Sequence, residues 1–317
     1  MKRPSQQGIA ILMVLIAIVI MTLMATRLAE RQLQMMQTGS RQLVSGQLRF
    51  LLNGAEQKGL AALERIYPLG AGITANSLGG ERIFMASLAE GQASVALLSG
   101  QNCFNLNAAG NFPPGKETVP AKQALISLAG TLLNVDGRDG EALVGALSSR
   151  LSMSTGARIA NVSELKLLPG FGELPVTDET LGLCAHTEKS VAVSINTLTE
   201  KDADLLAALS LGALSAKDAV ELIRKRPVRG WRTVEDVNND LNLLWPARGE
   251  RFSMMLSMLT VKITHFVILT KAQYAGHELI MRSYVSYDKT SKRLQLTQRR
   301  YSFNVQRGHE ESSDITP

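Results

Sequence analysis

The chain has 317 residues, 45% of them hydrophobic, 20% charged and 5% aromatic, with a formal net charge of +6. Hydrophobic content is ordinary, and the length supports a sizeable core or two smaller ones. The charge is too modest to argue by itself for a nucleic-acid partner. Its excess collects at Lys289, Lys292, Arg293, Arg299, Arg300 and Arg307, which face only Asp288 locally and read as a solvated strand face.

In chain order, a basic leader, Met1-Lys2-Arg3-Pro4-Ser5-Gln6-Gln7-Gly8, runs into an apolar block from Ile9 to Met21 that ends at Leu23-Met24-Ala25 before Arg27. From Gly8 to Ala25 there are 18 residues with no charge and one hydroxyl, Thr22. As a helix this stretch is roughly 27 Å long, enough to cross a bilayer core. No Ala-x-Ala-like site follows it, so a secretory signal cut behind the block is not indicated. A single small residue, Gly8, precedes the block, where processing of the prepilin type occurs; a plain single-pass anchor is the alternative. Lys2 and Arg3 before the span, against Arg27, Glu30 and Arg31 after it, slightly favour a cytoplasmic N-terminus.

From Ala25 to about Tyr67 there is no proline, and Leu28, Met35, Leu43, Phe50, Leu51, Leu60 and Leu63 recur at helical spacing. Gly39, Gly46, Gly54 and Gly59 each weaken this helix a little, and Pro68 and Gly70 end it. A strand pair is expected between Glu81 and Ser99, turning at Glu90-Gly91. Cys103 to Asn107 reads as loop-like, and Asn111 to Pro114 as irregular. Helices follow over Ala121–Leu133, Gly140–Leu151, Ser163–Leu168, Thr199–Ser210, Ser215–Arg226 and Thr233–Leu241. Thr199 and Ser215 begin variants of the capping box, with an acid at the third helical position. At Leu259 the period changes to that of a strand running through Leu269, then Leu279–Tyr287, a turn at 288–292 and a last strand to Val305. The tail from Gly308 to Pro317 is polar and is expected to be disordered.

The sequence therefore predicts an α+β, pilin-like fold: a long N-terminal transmembrane helix, an antiparallel sheet and a large all-helical insertion. The expected division is 1–8 leader, 9–25 membrane part of the helix, 26–102 remaining helix and first strands, 103–257 helical insertion, 258–307 final strands and 308–317 tail.

Two cysteines, Cys103 and Cys184, are an even count. In an oxidising compartment they point to one disulfide closing a loop of about eighty residues, a constraint worth about 3–5 kcal/mol; in the cytosol they would be two buried thiols. Metal binding by this pair is not expected, because no further His or Cys is recognised at ligand spacing. His186, His265, His277 and His309 are scattered over different elements. No G-x-S-x-G, phosphate loop or H-E-x-x-H is present, so no enzyme is indicated. A rival reading comes from Leu168-Pro-Gly-Phe-Gly172, which looks like the hairpin of a helix-hairpin-helix DNA-binding module, with Lys225, Arg226, Arg229 and Arg232 as a basic edge. Glu173 follows that hairpin where a base would serve phosphate, and Leu211-Gly-Ala-Leu214 lacks the matching Gly-x-Gly.

Several segments, in this order and spacing, resemble the K-type minor pseudopilins of the type II secretion system. They are the leader ending at Gly8, Cys103-Phe-Asn-Leu-Asn-Ala108, Ser163-Glu-Leu165, Ser194-Ile-Asn-Thr-Leu198, Arg226-Pro-Val-Arg-Gly-Trp231 and Val234-Glu-Asp-Val237. The resemblance implies cleavage by prepilin peptidase after Gly8, methylation of the new N-terminus at Ile9 and a Cys103–Cys184 disulfide. It also implies an inner-membrane location with the C-terminal domain in the periplasm. The implied partners are the I- and J-type minor pseudopilins and the major pseudopilin, in a tip complex that primes pseudopilus assembly and helps export folded proteins. Most pilins carry a glutamate five residues into the mature chain, pairing with a neighbour's N-terminal amine; here that position is Met13, as in the K type, which marks a filament tip. Relatives often carry an acidic calcium-binding loop before the segment matching Ser163-Glu-Leu165. Here Leu147 to Gly156 has no carboxylate and Asp136, Asp139 and Glu141 read as a polar turn, so no metal or other cofactor is expected. A minor pilin of a type IV pilus is the nearest alternative, with the same fold and processing.

Overall fold

The computed structural model describes residues 7–78, 82–85, 91–112, 119–153, 157–177, 182–288 and 290–303. Expectations on residues 1–6, Glu90, Pro113-Pro114, Ser154–Gly156, Lys289, Asn304-Val305, Arg307, His309 and the tail 308–317 lie outside the described residues.

The helix α1 (Gln7–Ile66) is continuous over 60 residues, about 90 Å. Helical spacing continues across the change from apolar to amphipathic composition, so nothing stops it before Pro68. A 3-10 turn (Tyr67–Gly72) follows, and Gly70 at φ 58° reverses the chain. Tyr67 at that corner stacks on Tyr287, with ring centroids 4.6 Å apart. A short helix, α2 (Ala75–Leu78), leads to β1 (Arg82–Met85) and β2 (Gln92–Ser99).

An insertion then intervenes. It comprises β3 (Cys103–Asn105), a 3-10 segment (Leu106–Asn111), α3 (Pro120–Leu133), α4 (Gly137–Ser152), a second 3-10 segment (Val162–Leu167), β4 (Gly182–Cys184) and β5 (Val193–Ser194). After a 3-10 turn at Glu200–Asp202 come α5 (Ala203–Leu209), α6 (Ala216–Lys225), α7 (Val234–Leu244), α8 (Phe252–Leu256) and β6 (Leu259–Thr260). The chain returns through β7 (His265–Tyr274), β8 (His277–Asp288) and β9 (Arg293–Phe303).

The main sheet has the order β1-β2-β7-β8-β9 and is antiparallel throughout. Strands β2 and β7 are neighbours, with Ser99 opposite Phe266, so the insertion leaves and rejoins at one end of the sheet. Alternation sets its inner face: Ala93, Val95 and Leu97 of β2, Phe266, Ile268 and Ala272 of β7, and Leu279, Met281 and Val285 of β8 are buried. Leu48, Leu51, Leu52, Ala55 and Leu63 form the stripe of α1 that covers them. Gly59 lies on that stripe for a packing reason. A Cβ there would stand 2.6 Å from Ile268 Cγ2 and 3.1 Å from Val95 Cγ2, so glycine lets the helix seat on the sheet.

The insertion builds a second core around Phe104, Leu128, Leu147, Leu206, Trp231 and Phe252. It is not all-helical. β3 pairs in parallel with β4, and β5 with β6, in ladders of three and two residues. Such short pairs carry no legible period, which is why Cys103 to Asn107 reads as loop. The strand expected to run unbroken from Leu259 is also two strands. Leu259 and Val261 pack in the insertion's core and Ile263 in the sheet's. Between them the Gln101 side chain replaces the ladder, its Oε1 accepting from Thr264 N at 2.5 Å and its Nε2 donating to Ala192 O at 2.9 Å.

Candidate functional site

Three groups of residues bear on function: the apolar end of α1, the contact that holds α1 to the sheet, and the seams of the insertion. Gly8 and Ile9 lie in the first turn of α1. Met13 is 68% exposed, and large apolar side chains from Leu12 to Met24 stand exposed around it. This end of α1 is the one helix among the described residues long and apolar enough to cross a membrane, and none of its most apolar stretch is covered by the rest of the protein. The hydroxyl of Thr22 donates back to Ile18 O at 2.7 Å, so it adds no unpaired polar group to the span. Exposed Leu28, Leu33, Met35, Met36, Leu43 and Phe50 extend the apolar surface along the helix.

The helix is locked by Glu56, whose side chain is fully buried. Arg299 of β9 grips it in bidentate fashion, Nε to Oε1 at 2.8 Å and Nη2 to Oε2 at 2.7 Å, and Ser283 Oγ of β8 donates to the same carboxylate. Burial alone would raise the pKa of Glu56, but the hydrogen bonds from Arg299 and Ser283 and the guanidinium charge outweigh it and hold the carboxyl below its usual range. Arg299 is partly exposed, yet it is committed to a buried partner. Its neighbour Arg300 donates to Ala160 O of the insertion at 2.8 Å and lies over the Tyr284 ring at 5.0 Å.

The motif residues of the insertion are polar stitches. Asn105 Oδ1 accepts from His186 N at 2.9 Å, while its Nδ2 donates to Ser190 O at 3.2 Å. Buried Asn107 brackets two strands of chain, donating to Ile159 O at 2.8 Å and His186 O at 2.7 Å and accepting from Ile159 N at 2.7 Å. Glu164 accepts from Ala160 N at 2.9 Å and pairs with Arg150 at 2.8 Å. Asn196 accepts from Trp231 N and donates to Trp231 O, both at 2.9 Å, and donates to Val261 O at 3.2 Å. Gly230 (φ 69°) lies against that amide; a Cβ there would come within 2.8 Å of Asn196 Cγ. Buried Trp231 also donates from Nε1 to Asp240 at 2.7 Å. Every one of these motifs is accounted for by folding.

Cys103, the first residue of β3, and Cys184, the last of β4, are joined by a disulfide with a Cα separation of 5.6 Å. The structure corrects the expectation that no further metal-ligand type lies near this pair. His186 follows Cys184 by two residues, and its Nε2 is 3.8 Å from Cys103 Sγ and 2.7 Å from Gly100 O. His265, the first residue of β7, stacks on it with ring centroids 4.1 Å apart, and His265 Nε2 meets Glu188 Oε2 at 3.1 Å. Burial, and then the nearby His265, push the His186 pKa down to about 4, while the hydrogen bond from His265 leads in holding Glu188 at about 2. Two histidines that look scattered along the chain therefore meet where the insertion joins the sheet.

The DNA-binding alternative loses its parts. Phe171 N closes a turn on Leu168 O at 3.1 Å, but residues 172–177 form no helix after it, so the helix-hairpin-helix unit is incomplete. Of the basic edge, Arg226 turns inward to donate to Leu198 O at 2.7 Å, and Lys225 pairs with Glu221 at 2.9 Å. Asp136 caps α4, its side chain accepting from Asp139 N at 3.0 Å, so a helix cap accounts for this carboxylate.

A long apolar helix lying along an antiparallel sheet, with a second domain inserted between adjacent strands, defines a membrane-anchored pilin-like subunit. The sequence model of the type II secretion system protein K family matches residues 193–253, the stretch from β5 to the start of α8 that holds Asn196, Arg226 and Trp231. The chain is similar to the type II secretion system protein K of Klebsiella pneumoniae, 28% identical over 255 residues, which cover 72% of this chain and 78% of that one. It is also similar to that of Dickeya chrysanthemi, 24% identical, with 93% and 97% covered. Its fold matches a chain in the crystal structure of the GspK-GspI-GspJ complex from the enterotoxigenic Escherichia coli type 2 secretion system. That match has a TM-score of 0.67 at 23% identity and covers 84% of this chain and 100% of that chain. By these matches the chain is similar to the type II secretion system protein K family, and it is a minor pseudopilin of that system.

Proposed function

We propose that this minor pseudopilin caps the pseudopilus: it joins I- and J-type minor pseudopilins in a complex at the filament tip, primes assembly of the major pseudopilin beneath it, and helps drive folded proteins across the outer membrane. The observation that carries the proposal is Met13. A carboxylate in the apolar span is costly unless paired with a neighbour's amine. A subunit with nothing stacked above it has no such amine to meet, and methionine at this position is the residue that suits it. The match to a chain of a three-pseudopilin complex supports the choice of partners.

In this reading prepilin peptidase removes residues 1–8, Ile9 becomes the methylated N-terminus, and α1 holds the subunit in the inner membrane with the sheet and insertion in the periplasm. The Cys103–Cys184 disulfide forms in that oxidising compartment. The protein acts by assembly and not by catalysis. Deleting the chain should abolish export and leave the secreted proteins folded in the periplasm. A label on the insertion should mark the end of an overproduced pseudopilus. Unimpaired export, or label along the shaft, would contradict the proposal.

A further inference from the structure

We propose that Cys103, Cys184 and His186 form a Zn2+ site in the dithiol state that precedes oxidation of the two cysteines, so that metal and disulfide are alternative occupants of one position. The three ligand atoms lie within 4.8 Å of one another. A tetrahedral zinc with ordinary Zn–S and Zn–N bonds sets its sulfur and nitrogen ligands about 3.5 Å apart. The 3.8 Å between Cys103 Sγ and His186 Nε2 is close to that edge. With the S–S bond absent, the two sulfurs need only separate until each reaches the metal.

The disulfide is not the sole tie in this scaffold. β3 and β4 are paired through backbone bonds, with Cys103 opposite Gly182 and Asn105 opposite Cys184. His186 is clamped on both sides of its own backbone, its N–H donating to Asn105 Oδ1 at 2.9 Å and its carbonyl accepting from Asn107 Nδ2 at 2.7 Å. To bind the metal through Nε2, His186 exchanges its bond to Gly100 O at 2.7 Å for the metal and carries its ring proton on Nδ1. Two thiolates neutralise the dication, which suits a half-buried position, and water completes the tetrahedron.

Binding releases the two thiol protons to solvent. Oxidation then proceeds by thiol–disulfide exchange with a more oxidising protein disulfide, which takes up two electrons and two protons and leaves as a dithiol. The Cys103–Cys184 bond forms and Zn2+ departs. Zinc should therefore slow closure of the disulfide in a way that depends on His186.

The test uses the full chain in detergent, reduced under anaerobic conditions and titrated with Co2+ as a spectroscopic stand-in for zinc. The dithiol protein should take up one Co2+ per chain, with the visible bands of a tetrahedral site and sulfur-to-metal charge transfer, and Zn2+ should displace it. The oxidised protein should give neither. His186→Ala should weaken binding about tenfold or more, and His186→Cys should restore it, which separates a lost ligand from a lost fold. Zn2+ should slow oxidation of the parent chain but not of His186→Ala. No tetrahedral bands from the dithiol protein, or equal affinity in His186→Ala, would overturn the proposal.

Discussion

At the scale of single residues, Glu56 and Arg299 show how far a side chain's role depends on partners remote in sequence. Arg299→Ala strands a fully buried carboxylate and should cost about 3 kcal/mol, toward the low end for a broken buried pair because the guanidinium is itself partly exposed. Chemical denaturation at neutral pH measures this. The Glu56 carboxyl titrates below its unfolded value of 4.5. Its contribution is therefore complete above pH 4.5 and is lost as pH falls through the folded value; Glu56→Gln should remove that part of the acid sensitivity. His186 acts over a different window. With a folded pKa of about 4 against 6.5 unfolded, the unfolded chain takes up the proton first. Stability present above pH 6.5 should thus decline toward pH 4, by up to about 3 kcal/mol, and His186→Asn should flatten that limb. Neither role is legible from residue spacing. Arg299 sits in a run of bases that reads as solvated, and only the β8–β9 register brings it over α1. His186 did carry a signal, its two-residue spacing from Cys184, which composition alone does not single out.

Among the elements, α1 was legible because its period and its terminators, Pro68 and Gly70, are local. The seat of α1 on the sheet was not. Four glycines look alike in the sequence, yet Gly54 faces open space and Gly59 faces Ile268. Gly54→Ala should stabilise the isolated protein by up to about 1 kcal/mol through helix propensity. Gly59→Ala gains the same propensity but overpacks the interface by about 1–3 kcal/mol, so its net effect should be destabilising. Thermal melts of the two variants should move in opposite directions, and pairing Gly59→Ala with Ile268→Ala should cost less than the sum of the single changes. The helices of the insertion were legible from caps such as Ser215 with Asp218 and Thr199 with Asp202. Its strands were not, because pairs two or three residues long are fixed by tertiary neighbours. Replacing Cys103 and Cys184 with Ser, 81 residues apart, should remove about 3–5 kcal/mol and loosen the β3–β4 pair first, read by hydrogen exchange at Phe104 and Leu183.

Across the whole molecule, the two cores divide the labour. One clamps the sheet to the helix whose apolar end stands exposed; the other presents an internally stitched body at one end of that sheet. Motif order along the chain carried the class of protein, and the fold joins those motifs: Asn196 bonds Trp231, and Arg226 donates to Leu198 O. The proposed processing is tested by N-terminal mass analysis of the mature chain, which should begin at methylated Ile9, and Gly8→Leu should leave the precursor uncut. Whether this subunit caps the filament with two other minor pseudopilins is tested by native mass spectrometry of the periplasmic parts co-expressed with I- and J-type partners. One complex holding one copy of each is expected. A chain that stays alone beside an intact I–J pair, or that forms open-ended assemblies of itself, would contradict it.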